Sequence, residues 1–159
     1  MRTCLLLAVL PGLLAACAAP KLPGTTITDT PENRAIVSLL HRYQDAYEKR
    51  EAETLLSLAS KRFMETGGTA GTEDDYDYDG LAERLHGEDF GRVLKARLRL
   101  DVKEIVVEGD RAHAEVRAET RYQTMPLAEG GEPEWHMMAD DNRMEFVRED
   151  GEWKILSGM

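Results

Sequence analysis

The fold is decided by residues 94–122, which read LKARLRLDVKEIVVEGDRAHAEVRAETRY. Apolar residues alternate with mostly charged ones over 94–102 and again over 112–122, which is the period of a half-buried strand. The Gly109-Asp110 pair between them is typical of a tight turn. The alternation changes phase after the first strand, and one extra residue near 103–104, a β-bulge, restores the same face. The stretch therefore predicts an antiparallel hairpin.

The charged residues on the outer face of this hairpin support the register that the apolar residues select. The predicted cross-strand partners are Val107 with Ala112, Val102 with Val116, Leu100 with Ala118, Asp101 with Arg117, and Arg99 with Glu119. The last two pairs join opposite charges, and each contributes roughly a few tenths of a kcal/mol to this register. Arg97 opposite Arg121 is a like-charge exception. Because two independent patterns select the same pairing, the hairpin is predicted residue by residue.

Helices are predicted before this hairpin and two strands after it. Thr30 is typical of a helix N-cap, and Pro31 occupies the first helical position, where its missing N–H costs nothing. Apolar spacing of three and four residues then predicts a helix to about Lys49. The other predicted segments are a helix over 52–58, a Gly-rich acidic loop over 65–79, a helix that bears Leu81 and Leu85, and strands over 135–148 and around 153–155. A tight turn at 149–151 joins the last two strands.

This order of elements, with FVREDGEWKI at residues 146–155, resembles the nuclear transport factor 2-like superfamily, including SnoaL-like and ketosteroid-isomerase-like domains. Arg42-Tyr43 and Ala46-Tyr47 in the first helix fit the same resemblance, which covers about Thr30 to Met159. The resemblance implies an α+β fold, in which N-terminal helices pack on a curved antiparallel sheet and form a cone. The interior of the cone is sometimes a ligand pocket. Members include isomerases, dehydratases, cyclases, transport factors and non-catalytic domains, so the fold does not choose a function.

The first 16 residues have the features of a bacterial export signal. Arg2 gives a positively charged start, an apolar stretch runs from Cys4 to Leu14, and small residues follow it. The apolar stretch is about eleven residues long, whereas a membrane-spanning helix needs about 20. We therefore expect residues 1–16 to be a cleaved signal peptide.

Residues 14–17, Leu-Ala-Ala-Cys, resemble the lipobox of bacterial lipoproteins, in which cleavage precedes a cysteine that carries a diacylglycerol. Cys17 is thus the predicted lipidation site, and an ordinary secretory peptide with a chance cysteine is the alternative. Residues 17–29 show no apolar periodicity and are predicted as a lipidated tether for a domain over 30–159. In lipoproteins of enteric bacteria, an aspartate directly after the lipidated cysteine favours retention in the inner membrane, and here that position is Ala18. The expected location is therefore the cell envelope, at the outer membrane.

Composition and charge disfavour several classes of function. The 159 residues include 30 acidic and 20 basic side chains, a balance that disfavours binding of nucleic acid through its phosphates. Once the signal is removed, no thiol other than that of Cys17 remains, and the sequence has no phosphate-cradling or nucleophile-elbow motif. The four histidines show no metal-ligand spacing. We expect no cofactor and no metal.

A proton-transfer enzyme on this fold would need a general base and a hydrogen-bond donor that face one cavity. The candidate pocket residues are Tyr43, Tyr47, Tyr122, Trp135 and Asp140. The tyrosines lie on predicted inward rows, where filling of the core is the alternative interpretation. His136 shares a strand face with Asp140. Apolar residues occur on both faces of this strand, so the sequence does not determine which face points inward.

Residues 75–80, DYDYDG, match the opening of an EF-hand loop, in which oxygens of Asp75, Asp77 and Asp79 would bind calcium. The match then fails, because position 12 of the loop would be His86 instead of a bidentate glutamate. The alternative is a helix start that Asp77 or Asp79 caps. The motif is therefore only a weak calcium candidate.

These patterns predict a membrane-anchored lipoprotein with a non-catalytic binding or envelope-assembly domain. Its expected partners are the membrane, through Cys17, and either an envelope protein or a small apolar ligand. The alternative function is a small-molecule carrier, or an isomerase or dehydratase, that uses the cone pocket. The charged outer face of the hairpin disfavours a dry dimer interface, so we expect a monomer, with a homodimer as the alternative.

Overall fold

The computed structural model describes residues 19–66, 74–127 and 130–159. The helices are α1 (Pro31–Lys49), α2 (Ala52–Leu58), α3 (Tyr78–His86) and α4 (Glu88–Gly91); the strands are β1 (Met64–Glu65), β2 (Tyr76–Asp77), β3 (Val93–Glu108), β4 (Arg111–Thr124), β5 (Glu134–Glu149) and β6 (Glu152–Ser157). Strands β3 to β6 form one antiparallel sheet in chain order, and β1 pairs with β2. The predicted α+β class is confirmed. The predicted signal peptide and Cys17 lie outside the described residues.

The β3–β4 hairpin has the predicted register at every pair named above, and a register shift between Val102 and Glu104 marks the predicted bulge. Arg97 does lie opposite Arg121. The like charges are tolerated because each guanidinium has a different neighbour: Arg97 Nη1 is 2.9 Å from Glu48 Oε2 of α1, and Arg121 lies 4.4 Å above the Trp135 ring. The like-charged Arg97–Arg121 pair is therefore stabilised by contacts with residues outside the hairpin.

Helix α1 packs its apolar face on the sheet and begins at the predicted cap. The Asn33 N–H donates to Thr30 Oγ1 at 3.1 Å, and Ile36 and Leu40 are almost fully buried. The core also contains Phe63, Phe146 and Ile155. The segment after α2 is joined to β6, because Ser60 N donates to the Ile155 carbonyl oxygen at 2.8 Å.

The structure adds three short elements to the predicted set. Helix α4 is a single turn, and β1 and β2 have two residues each. Elements of this length show no periodicity in a sequence. They matter for the site, because β2 leads directly into α3 and α4 leads into β3.

The predicted tether is wrong for residues 21–28, which fold against the domain. The Leu22 N–H donates to the Ile27 carbonyl oxygen at 2.8 Å, and Asn33 Nδ2 of α1 donates to the Thr28 carbonyl oxygen at 2.8 Å. Leu22 is 9% exposed and Ile27 only 4%. Two isolated apolar residues among Pro, Gly and Thr give no periodic signal, although burying them stabilises the turn. Within the described ranges, no helix combines the length and apolar character needed to cross a membrane.

Candidate functional site

A cleft opens between the helices and the inner face of the sheet, with a volume of about 1580 Å³. Helices α1, α3 and α4 and strands β3, β4 and β5 all contribute to its lining. Its sheet side includes the small or apolar residues Leu98, Leu100, Ala118 and Met138, together with polar residues such as Asp140. A concave site with apolar walls and a few polar groups is the usual setting for a small ligand.

The pairing of β5 with β4 decides which face of β5 lines this cleft. Ala118 lies opposite Asp140, and Thr120 lies opposite Met138. Since paired residues share a face, Asp140 points to the same side as the inward row of β4. His136 lies on this side as well and stacks on Tyr122, with ring centroids 4.8 Å apart. The predicted pocket residue Asp140 is therefore placed in the cleft wall.

The predicted tyrosines Tyr43, Tyr47 and Tyr122 also line the cleft. The rings of Tyr43 and Tyr47 lie one helical turn apart, with centroids at 6.4 Å. Burial raises the pKa of Tyr43, and the neighbouring Tyr47, Tyr76 and Glu65 raise it further. Burial also raises the pKa of Tyr47, to which Tyr122 adds. The phenols of Tyr43 and Tyr47 therefore keep their protons at physiological pH and can donate hydrogen bonds.

Tyr76 and Arg84 belong to the cleft lining without having been among the sequence candidates. Tyr76 in β2 packs against Phe63 with centroids 6.0 Å apart, and the Arg84 guanidinium of α3 lies 4.2 Å above the Tyr76 ring. Tyr76 lies inside the motif that resembles an EF-hand opening, and only the aspartates of that motif are candidate calcium ligands. The signal that would have found it is the alternation of Tyr76 and Tyr78 with aspartates.

The prediction that Trp135 lies in the pocket is wrong. Its side chain is 44% exposed, and Arg121 of the outer face of β4 stacks on its ring at 4.4 Å. Trp135 pairs with Gln123 one position before the His136–Tyr122 pair. Successive residues of a strand point to opposite faces, so Trp135 lies on the outer face of the sheet.

The acidic motif at 75–80 forms the start of α3, which was the alternative to the calcium candidate. Asp77 Oδ1 accepts from Gly80 N at 3.0 Å as the N-cap, and Asp79 lies in the first turn. Asp75 Oδ1 is buried without a hydrogen-bond partner and lies in the cleft lining. Among the described residues, no three His, Cys, Asp or Glu side chains are grouped as they would be around a metal ion.

A family model described as a SnoaL-like domain matches residues 28–157. The chain belongs to the SnoaL-like domain family. The match covers α1 through β6, so the SnoaL-like domain includes every element that lines the cleft. No curated protein matches the chain.

Solved structures share the fold of this SnoaL-like domain at low sequence identity. A conserved protein from Planctomyces limnophilus DSM 3776 superposes with a TM-score of 0.65 at 19% identity, covering 79% of this chain and 91% of that one. An NTF2-like protein with a cystatin-like fold from Novosphingobium aromaticivorans gives 0.55 at 20% identity, covering 79% and 77%. A type 2 hexachlorocyclohexane dehydrochlorinase (LinA) gives 0.59 at 18% identity, covering 79% and 81%. Identities this low show the fold alone.

The geometry of the SnoaL-like domain provides three kinds of group in one cleft. Apolar side chains can cover the body of a ligand, neutral phenols can donate hydrogen bonds, and Asp140 can accept a hydrogen bond or a proton. Asp140 is exposed at the cleft wall. The arrangement is therefore able to bind and orient a small molecule.

Proposed function

We propose that this protein is a lipid-anchored protein of the bacterial cell envelope whose domain binds a small molecule in the cleft without transforming it. The observation that carries the proposal is the cleft itself, with a volume of about 1580 Å³ and three predicted tyrosines in its lining. An envelope protein was the other expected partner. The concave shape and apolar sheet wall favour a small molecule.

The envelope location rests on the N-terminal sequence. The Leu14–Cys17 motif closes an apolar export signal, and Ala18 occupies the position where aspartate would favour inner-membrane retention. Acylation of Cys17 would then hold the cleft close to the outer membrane. A ligand that partitions between the membrane and the aqueous phase would be within reach of it.

A second candidate function is an isomerase or dehydratase reaction. Asp140 and the tyrosines line one cleft, so a base and a hydrogen-bond donor are available to the same ligand. Binding without catalysis is favoured because Asp140 is exposed to solvent, whereas proton-transfer sites usually exclude water from the reacting groups. A product formed by the wild type and not by Asp140→Asn, detected by mass spectrometry, would favour the enzyme.

The binding proposal is tested by filling the cleft. Ala118 lies on its wall, so Ala118→Trp places a large side chain in the ligand volume. Ala139 is exposed on the outer face of the same sheet, so Ala139→Trp is a matched control. We expect small aromatic and alicyclic compounds that raise the Tm of the wild type by a few degrees to do so for Ala139→Trp and not for Ala118→Trp. Equal shifts in all three proteins would contradict the proposal.

A further inference from the structure

The charged groups in the lining of the cleft are almost all acidic. Among the described residues, the lining contains eight carboxylates and a single guanidinium, that of Arg84. Two of the eight are engaged elsewhere, because Asp77 caps α3 and Asp141 pairs with Lys103 and Arg117. The other six are Asp75, Asp79, Glu83, Glu88, Asp89 and Asp140, and none of them forms an ion pair within the described part of the chain. A cleft lined by one sign of charge focuses its field and attracts ions of the opposite sign.

The aromatic lining of the cleft favours the same kind of ligand. Four tyrosines line it: Tyr43, Tyr47, Tyr76 and Tyr122. The face of an aromatic ring carries negative charge and attracts cations, and this is how proteins recognise quaternary ammonium groups. One such contact is already present, because the Arg84 guanidinium lies 4.2 Å above the Tyr76 ring.

The distribution of the carboxylates distinguishes an organic cation from a metal ion. A metal ion needs several oxygen ligands at one point, and within the described ranges no three acidic, His or Cys side chains form such a group. The negative charge is spread instead along α3, α4 and β5, beside apolar residues such as Leu100 and Met138. Spread charge next to an apolar wall matches a cation with a hydrophobic body.

We propose that the cleft selects an organic cation, an ammonium group carried on an aromatic or aliphatic body. The ammonium lies among the carboxylates and tyrosine faces, and the body packs on the apolar sheet wall near Leu100 and Met138. This inference rests on the proposed binding function and names the class of its ligand. Asp140 and Tyr47 are the residues expected to contact the cation.

The test compares three probes that share one naphthalene ring and differ in charge. They are (naphthalen-2-ylmethyl)trimethylammonium, 2-naphthalenemethanol and 2-naphthoate, titrated into the purified protein by calorimetry. We expect the cation to bind about tenfold more tightly than the alcohol, and the anion to bind most weakly. Raising the ionic strength from about 0.02 M to about 0.5 M should weaken binding of the cation alone, because salt screens charge.

Variants of Asp140 and Tyr47 separate the contribution of the carboxylate from that of the aromatic face. Asp140→Asn should lower the affinity for the cation several-fold more than that for the alcohol, whereas Asp150→Asn in the β5–β6 turn should change neither. Tyr47→Phe keeps the aromatic face and should retain binding of the cation, whereas Tyr47→Leu should weaken it.

The outcomes separate this inference from the binding proposal. Equal affinity for the three probes, or preference for the alcohol or the anion, overturns the choice of a cation and leaves small-molecule binding intact. The absence of heat with every probe also overturns it, and the comparison of Ala118→Trp with Ala139→Trp then decides the binding proposal separately.

Discussion

Gly158 joins the segment after β6 to two other strands at the edge of the cleft. Its N–H donates to Glu65 Oε2 of β1 at 2.6 Å, and its carbonyl oxygen accepts from Asn142 Nδ2 of β5 at 3.1 Å. Its φ is +85°, in the left-handed region that glycine adopts most readily. A Cβ added there would lie 2.6 Å from the Arg143 carbonyl oxygen. Both the backbone conformation and the lack of space for a Cβ therefore require glycine at position 158.

We expect Gly158→Ala to destabilise the protein by about 2–4 kcal/mol, since left-handed strain adds to steric overlap with backbone. Gly151 is the matched control, because its φ is +84° and a Cβ there would meet nothing within 4 Å. Gly151→Ala should cost only about 1 kcal/mol. Urea unfolding of both variants measures the difference. If both variants lose the same free energy of unfolding, the steric overlap with the Arg143 carbonyl oxygen does not contribute to the destabilisation.

At the scale of elements, a histidine joins α3 to α2. His86 Nε2 lies 2.9 Å from Glu53 Oε1, and its Nδ1 lies 2.9 Å from the Ala82 carbonyl oxygen. Both ring nitrogens face acceptors, so the contact is complete when the imidazole is protonated and both nitrogens donate. The hydrogen bond to Glu53, followed by the one to Ala82, raises the pKa of His86. Helix α3 also carries the cleft carboxylates of Asp79 and Glu83.

We expect the α2–α3 contact to stabilise the fold at acidic pH and to weaken as the pH rises. A raised pKa in the folded state means that the contribution is complete below the unfolded pKa of about 6.5 and is lost as the pH rises through the folded pKa. The Tm difference between the wild type and His86→Gln should therefore be largest near about pH 5.5 and smallest near about pH 8.5. Glu53→Gln should show the same trend. A Tm difference that does not vary with pH would contradict this assignment.

At the scale of the whole molecule, the outer face of the sheet carries charged side chains that pair with one another. Arg99 is 3.0 Å from Asp101, and Arg143 is 2.6 Å from Glu115. The face thus keeps the charged character on which the expectation of a monomer was based. Residues 21–28 fold back as a turn against the domain, so the segment proposed to link Cys17 to the domain is shorter than predicted.

We expect Cys17→Ala to abolish acyl labelling and membrane retention, because the acylated thiol is the proposed anchor. Cys4→Ala is the matched control, since Cys4 lies inside the apolar stretch of the predicted export signal and its replacement should leave labelling unchanged. Incorporation of labelled palmitate and membrane fractionation measure both effects. Persistent labelling of Cys17→Ala would show that the lipobox resemblance misleads.

The sequence by itself determined the elements whose formation depends on near neighbours. The bounds of α1, the cap at Thr30, the β3–β4 register and its bulge were predictable, because helical and strand periods, capping and turn chemistry act over a few residues. Tyr43, Tyr47 and Tyr122 were predictable as cleft residues for the same reason. Each lies on the inward row of a strongly periodic element.

Only the tertiary structure decided the rest of the cleft. Apolar residues on both faces of β5 left its orientation open until pairing with β4 placed Asp140 inside and Trp135 outside. Tyr76, Arg84 and the carboxylates of α3 and α4 meet in the cleft through contacts between elements distant in the chain. Local periodicity carries no information about such contacts, nor about the burial of Leu22 and Ile27, because each depends on which surfaces the complete fold brings together.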